Sequence, residues 1–176
     1  MTLPLLSGER VTLRPLTPHD DVLFWKLKTD PVVNCWLEAR SWPDVACARE
    51  ERLRLEAGVE TGHWFFWGLS LGARSPLVGT VCLWNFTNDR RRCELGFDLF
   101  PTRQGKGLMA EAVGTLLSWA WAELPLGEVG ALTHRENLPA RNLLVRRGFS
   151  EASFPGDGDF SDDERLSHLW YRLVRP

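Results

Sequence analysis

Gly105, Lys106 and Gly107 are the residues whose types and spacing suggest chemistry most directly. Two glycines flank a lysine, just ahead of a segment whose apolar residues recur at threes and fours. Glycine leaves the backbone unobstructed. The first N–H groups of a helix lack internal partners, and the helix dipole favours an anion there. With the charge of Lys106 added, the turn is a phosphate site in principle. The plain alternative is a tight connection that needs glycine for geometry alone. Two glycine patterns can be tested. GxxxxGK followed by Ser or Thr fails, because Gly107 and Leu108 follow Lys106. GxGxxG/A matches as Gly105, Gly107 and Ala110. That pattern belongs in an early βαβ unit, followed by an acidic residue that holds a ribose. Here the next strand ends at Thr133 and His134, and too little chain follows for a doubly wound sheet.

The elements around the turn are legible from period. Cys93, Leu95, Phe97 and Leu99 alternate with Glu94, Gly96 and Asp98, which predicts a strand with one buried face. Pro101 ends it. From Leu108 through Val113, Leu117 and Trp121 to Leu124 the period is that of a helix with a wide apolar stripe, stopped by Pro125.

The turn is similar to the acetyl-CoA loop of the GNAT N-acetyltransferases, in which Gln or Arg is followed by two residues, Gly, one residue, and Gly or Ala. Here Thr102 stands at the first position and Gly105 and Gly107 at the last two. A second stretch, from Asn137 through Ala140 and Leu144 to Gly148-Phe149, resembles that family's segment of strand end, helix and turn. The opening GERVTLRPLTPHD and Leu77–Val81 resemble its RimJ/RimL subgroup, which acetylates ribosomal protein N-termini. The resemblance implies direct acetyl transfer from acetyl-CoA to a primary amine. It implies that Phe97, Asp98 and Leu99 hold the pantetheine arm through their backbone, on a strand that splays from its neighbour. The pyrophosphate is expected on the turn formed by Arg103, Gln104, Gly105, Lys106, Gly107 and Leu108. Asn137, Asn142 and Arg146 are expected to contact the cofactor further out.

Acetylation of an amine needs a neutral nucleophile and a departing thiol, so a base and a proton donor are sought. Glu94 is one base candidate, on the central strand. Asp159 is the other: RimL-like enzymes have a carboxylate assigned as base at its position. The acid is unsupported, because the one tyrosine, Tyr171, lies in the last strand and Ala140 replaces a RimL-like serine. No histidine has metal-ligand spacing, and no metal is expected. Of the 9 tryptophans, Trp36, Trp42 and Trp84 are candidates to line an acceptor pocket. A non-catalytic acyl-CoA-binding domain and a nicotinamide-dinucleotide-binding enzyme are the alternatives.

Elsewhere the pattern predicts a first strand over Arg10–Leu16, and a helix capped by Thr17 and Pro18 that carries Val22, Leu23, Trp25, Lys26 and Leu27. A second helix opens at Ser41–Asp44 and runs to about Ala57, stopped by Gly58. Strands follow over His63–Leu71, Leu77–Phe86, Glu128–His134, Phe149–Phe154 and Ser167–Val174, with a helix over Asn137–Arg147 and an acidic loop over Pro155–Arg165. The order predicts an α/β fold, an α+β mixed sheet, mostly antiparallel and flanked by about four helices. The 176 residues suit one domain, 1–176, with 44% apolar and 25% charged residues. A net charge of −2 gives no electrostatic case for nucleic acid. No apolar run has the length of a membrane span and no signal segment is evident, so a cytoplasmic protein with reduced cysteines is expected, with a homodimer as one possible state.

Overall fold

The computed structural model describes residues 3–36, 41–156, 158 and 160–176. The chain begins with two short strands, β1 (Leu6–Ser7) and β2 (Thr12–Arg14), then a single 3-10 turn at Pro18–Asp20 that leads into α1 (Asp21–Thr29). Thr17 and Asp20 form a capping box around that turn. Helix α2 (Val45–Glu60) follows, with Asp44 accepting the Ala46 N–H as its cap. Strands β3 (Phe65–Ser70), β4 (Leu77–Trp84) and β5 (Arg92–Leu99) make the expected antiparallel meander. Then come α3 (Leu108–Glu123), β6 (Glu128–His134), α4 (Leu138–Arg146), β7 (Ser150–Ala152), α5 (Asp162–Ser167) and β8 (His168–Val174).

The eight strands form one sheet in the order β1-β2-β3-β4-β5-β6-β8-β7. Among the described residues only the β5–β6 pair is parallel. The two faces separate along β3. Phe65, Trp67 and Leu69 join the larger core with the apolar stripe of α3, while Phe66 packs with Phe24 of α1 and Leu55 of α2 in a smaller core. On β5, Cys93, Leu95 and Leu99 belong to the α3 core. Glu94 and Asp98 therefore face the α1–α2 side.

The structure corrects several boundaries. A fifth α-helix, α5, occupies part of the expected acidic loop; Ser161 and Glu164 form a capping box that starts it. Ser167 ends that helix and does not begin a strand. Helix α2 runs past Gly58, and the first strand is shorter than Arg10–Leu16, with β1 added at the sheet edge. Val22 is 50% exposed, and the buried face of α1 is Phe24, Leu27 and Lys28. No helix among the described residues is long and apolar enough to cross a membrane.

Candidate active site

Strand β5 pairs with β6 only from Arg92 to Glu94, opposite Glu128 to Gly130. Beyond that point β5 stays bonded to β4 as far as Leu99, and β6 to β8 as far as His134. The sheet therefore opens between the two strands. Their facing backbone edges are left for a ligand, since neither pairs with the other. At the last rung, Gly130 cannot be larger: a Cβ there would lie 1.9 Å from Cζ2 of Trp170. A cavity of about 610 Å³ extends from this opening over the α1–α2 side, with Phe66, Trp84, Glu94, Phe97, Asp98 and His168 among its walls.

Glu94 stands at the apex of the opening and is only 6% exposed. Asn85 Nδ2 donates to its Oε1 at 2.6 Å. Burial pushes the Glu94 carboxyl above the usual carboxylate range; the Asn85 hydrogen bond and Arg92 pull it back, and Glu164 pushes it up. Four residues along the same face, Asp98 is ion-paired with the buried ammonium of Lys28 and accepts Thr80 Oγ1 at 3.2 Å. Lys28 Nζ lies 5.7 Å from the Phe24 ring centre and 5.8 Å from that of Phe66.

The glycine turn follows β5. Pro101–Arg103 forms a 3-10 turn, and Gln104 Nε2 donates back to the Leu99 carbonyl at 2.9 Å. Gly105 and Gly107 have φ of +73° and +76°, so both conformations favour glycine. Lys106 Nζ donates to the Thr102 carbonyl at 2.8 Å, and its own carbonyl accepts Arg10 Nη1 at 3.0 Å. Gly107 is the N-cap of α3 and provides no side-chain cap. Thr102 to Gly107 are exposed, whereas Leu108 and Met109 at the start of α3 are buried; the first N–H groups of the helix lack intrahelical partners beneath an exposed turn.

The structure brings Glu94, Phe97, Asp98, Asn137, Trp36 and Trp84 to one cavity. Asn137 is the N-cap of α4: its Oδ1 accepts the Ala140 N–H at 3.1 Å, which leaves its amide nitrogen for a ligand. Trp42 is elsewhere, packed edge-on to Phe24 at 5.7 Å in the smaller core. Asn142 and Arg146 are exposed on α4 and outside the cavity wall. Asp159 lies outside the described residues. Tyr171 is 3% exposed; its hydroxyl accepts Arg141 Nε at 3.2 Å, and it is not a cavity residue.

Three cavity groups were not foreseen as site residues. Lys28 hides in an amphipathic helix. His134 and His168 face each other across the β6–β8 register with ring centres 5.3 Å apart, and Trp36 stacks on His134 at 5.0 Å. The Ser167 hydroxyl gives its proton to the Asp163 carbonyl at 2.6 Å, so it accepts from His168 Nδ1 at 2.9 Å. Neutral His168 then carries an acceptor at Nε2. Burial lowers the His168 pKa, His134 lowers it further, and Glu164 raises it. Cys82, also on the wall, is held as a thiol, its pKa pushed up to about 12 by burial. Among the described residues, no group of three or more His, Cys, Asp or Glu could hold a metal ion.

This arrangement has relatives. The sequence matches the acetyltransferase (GNAT) domain over residues 10–150. It is 22% identical over 173 residues to the uncharacterized N-acetyltransferase YoaA of Bacillus subtilis, covering 98% of both chains. It is 27% identical over 119 residues to the ribosomal protein uS5-alanine N-acetyltransferase of Escherichia coli, covering 65% of this chain and 60% of that one. The structure of Mycobacterium smegmatis RimJ in complex with CoA-disulfide superposes with a TM-score of 0.79 at 21% identity, covering 99% of this chain and 87% of that one. With the domain matched over residues 10–150, the chain belongs to the GNAT acetyltransferase family and is an N-acetyltransferase.

Proposed function

We propose that this N-acetyltransferase moves the acetyl group of acetyl-CoA directly to a primary amine, either a protein N-terminus or a small-molecule amine, with Glu94 as general base. The observation that carries this reading is the buried carboxylate of Glu94 at the apex of the β5–β6 opening. Acetyl-CoA, when bound, supplies a thioester that a neutral amine can attack. The residues fit it. The unpaired edge of β5 at Phe97, Asp98 and Leu99 offers backbone groups to an amide-bearing arm, and the uncapped start of α3 offers N–H groups to a pyrophosphate. Arg103 and Lys106 add charge on the exposed turn, and Asn142 and Arg146 extend the surface toward the outer end of the cofactor.

An amine reaches the cavity as an ammonium ion. Glu94, with its carboxyl raised by burial, accepts a proton closer to neutral pH than an ordinary carboxylate does. Trp36 and Trp84 give the acceptor an aromatic wall. Transfer needs no protein nucleophile, and the Cys82 thiol is unsuited to be one. Neither Tyr171 nor Ala140 can serve as acid, so the departing sulfur takes its proton from the amine or from water. Asp159 is the second candidate base. The free thiols at Cys35, Cys47, Cys82 and Cys93 fit a reducing cytoplasm.

The test is a thermal-shift titration with acetyl-CoA, with NADH as control, followed by thiol release with a panel of amines. Stabilisation that grows with acetyl-CoA and is absent with NADH supports the donor by mass action. Thiol release that needs an amine and is lost in Glu94→Gln supports the base. Release lost in Asp159→Asn and kept in Glu94→Gln moves the base to Asp159. Binding without release would make the chain a non-catalytic acyl-CoA-binding domain.

A further inference from the structure

A second, more polar cleft of about 800 Å³ lies behind the active site, between the β4–β5 turn, the start of β6 and the segment before α5. Glu94 is a wall of both cavities, whereas Asn85 belongs to the second cleft alone. Asn85 follows β4 directly and has a φ of +48°, a left-handed conformation that non-glycine residues seldom adopt. The backbone thus takes a conformation of low population at a residue whose side chain reaches Glu94 from the second cleft. Asparagine is among the side chains that tolerate it best, because its short amide bonds locally. Here that amide bonds to Glu94 Oε1 at 2.6 Å.

We propose that Asn85 is a positioning residue for Glu94: from the second cleft it clamps Oε1 and turns Oε2 toward the amine in the main cavity. The inference rests on the reading of Glu94 as general base. In the reaction, Oε2 takes one proton from the ammonium ion. The neutral nitrogen forms a bond to the acetyl carbon, and the bond from that carbon to sulfur breaks. The second amine proton leaves with the sulfur as thiol, and Glu94 returns its proton to water. The clamp acts on the first of these events. A donated hydrogen bond favours the ionised carboxylate, offsetting the burial that disfavours it. Other charges surround the same group. Arg92 on β5 favours its ionised form and Glu164 of α5 opposes it. Asp89, Arg91 and Glu128 border the second cleft, and the Lys28–Asp98 pair, His134 and His168 border the main cavity.

Asn85→Gly tests the clamp without losing the fold, because glycine accepts a φ of +48° more readily than asparagine does. Asn85→Asp keeps the shape, removes the donor and adds a like charge. The measurements are the pH profile of kcat/KM for acetyl transfer to an amine, and the titration of the Glu94 side-chain carboxyl by carbon-13 NMR. In Asn85→Gly the acid limb is expected to move to higher pH, with kcat/KM down roughly tenfold at neutral pH and recovering in alkali, the size of one lost hydrogen bond. The NMR titration of Glu94 should move the same way, and Asn85→Asp should move both further. The KM for acetyl-CoA should stay put. If the Asn85→Gly profile and titration overlay those of the unsubstituted enzyme while Glu94→Gln is inactive, Asn85 is not a positioning residue. If Glu94→Gln is fully active, the reading of Glu94 as base fails, whatever Asn85 does.

Discussion

Glu94 and Asp98 sit on the same face of β5, four residues apart, and border the same cavity. Their partners differ. Asp98 faces the ammonium of Lys28 and the hydroxyl of Thr80, so its charge is neutralised in a half-buried place. Glu94 faces a neutral amide, and burial is the largest influence on its proton. One carboxylate is committed to holding α1 against the sheet; the other is left able to exchange a proton. A strand can thus carry a structural anion and a reactive one side by side, and the residue opposite each decides which is which.

The sharpest way to break this contrast is Glu94→Gln. Loss of a general base lowers kcat/KM by about 10²- to 10⁴-fold. Its effect on stability has the opposite sense. The Glu94 carboxyl titrates higher in the folded chain than in the unfolded one, so the native state holds the proton more tightly between those two values. Stability is then greatest below the unfolded value and falls as pH rises through the folded one. Glu94→Gln removes that fall. Thermal unfolding of the variant, followed from pH 4 to pH 8, should lose less than that of the unsubstituted chain. Equal losses would mean that Glu94 is not held as the structure indicates.

Asp98 is probed from its partner. Lys28→Met leaves the half-buried Asp98 carboxylate without its cation and should cost about 3 kcal/mol in urea unfolding, the lower end for a broken buried pair. The double variant Lys28→Met/Asp98→Asn should recover much of it, since neither charge remains. A single variant as stable as the parent would place Asp98 among ordinary solvated carboxylates and erase its difference from Glu94.

The two residues were unequally legible in the sequence. Strict alternation around Leu95 and Phe97 sets both on the other face of the strand, but it assigns neither a task; the resemblance to the GNAT family makes Glu94 a base candidate and Asp98 a backbone contact of the pantetheine arm. Their partners were not legible. Lys28 is buried by tertiary packing, and apolar period favoured Val22, which the structure leaves exposed. Asn85 carries no periodic signal; it follows a strand that was expected to run on to Phe86. The histidine pair depends on β6–β8 register, which no local pattern encodes. The Ser161–Glu164 capping box was readable in principle, but a run of acidic residues concealed it as a loop. The glycine turn was legible because its requirement is local: two left-handed residues in quick succession are met by glycine whatever surrounds them.

That local requirement gives a milder test, at the far end of β5. Gly107→Ala puts a Cβ on a residue with φ of +76° and within 3.4 Å of Arg10 Nη2. The conformational cost is about 1–2 kcal/mol. The stability loss should come with a raised KM for acetyl-CoA and an unchanged acid limb in the pH profile, because no residue of the turn borders the cavity that holds Glu94. A displaced acid limb would couple the turn to Glu94 and blur the separation between binding and proton transfer.

The smallest effect is expected at Trp84, and it bears most finely on what makes the two carboxylates differ. Trp84 pairs directly with Glu94 across β4 and β5, as Thr80 pairs with Asp98. Residues in register share a face, so the indole stands beside the Glu94 side chain where the Thr80 hydroxyl stands beside Asp98. The hydroxyl donates a hydrogen bond; the indole ring excludes water. Trp84 is 47% exposed, so Trp84→Ala should change stability by no more than about 0.5 kcal/mol. It should nevertheless hydrate Glu94 and ease the burial that raises its carboxyl. The acid limb of kcat/KM then moves to lower pH, opposite in sign to the shift expected for Asn85→Gly, while the KM for the amine rises as the aromatic wall is lost. A limb that stays in place in Trp84→Ala would assign the desolvation of Glu94 to the sheet itself, and leave Trp84 with the acceptor alone.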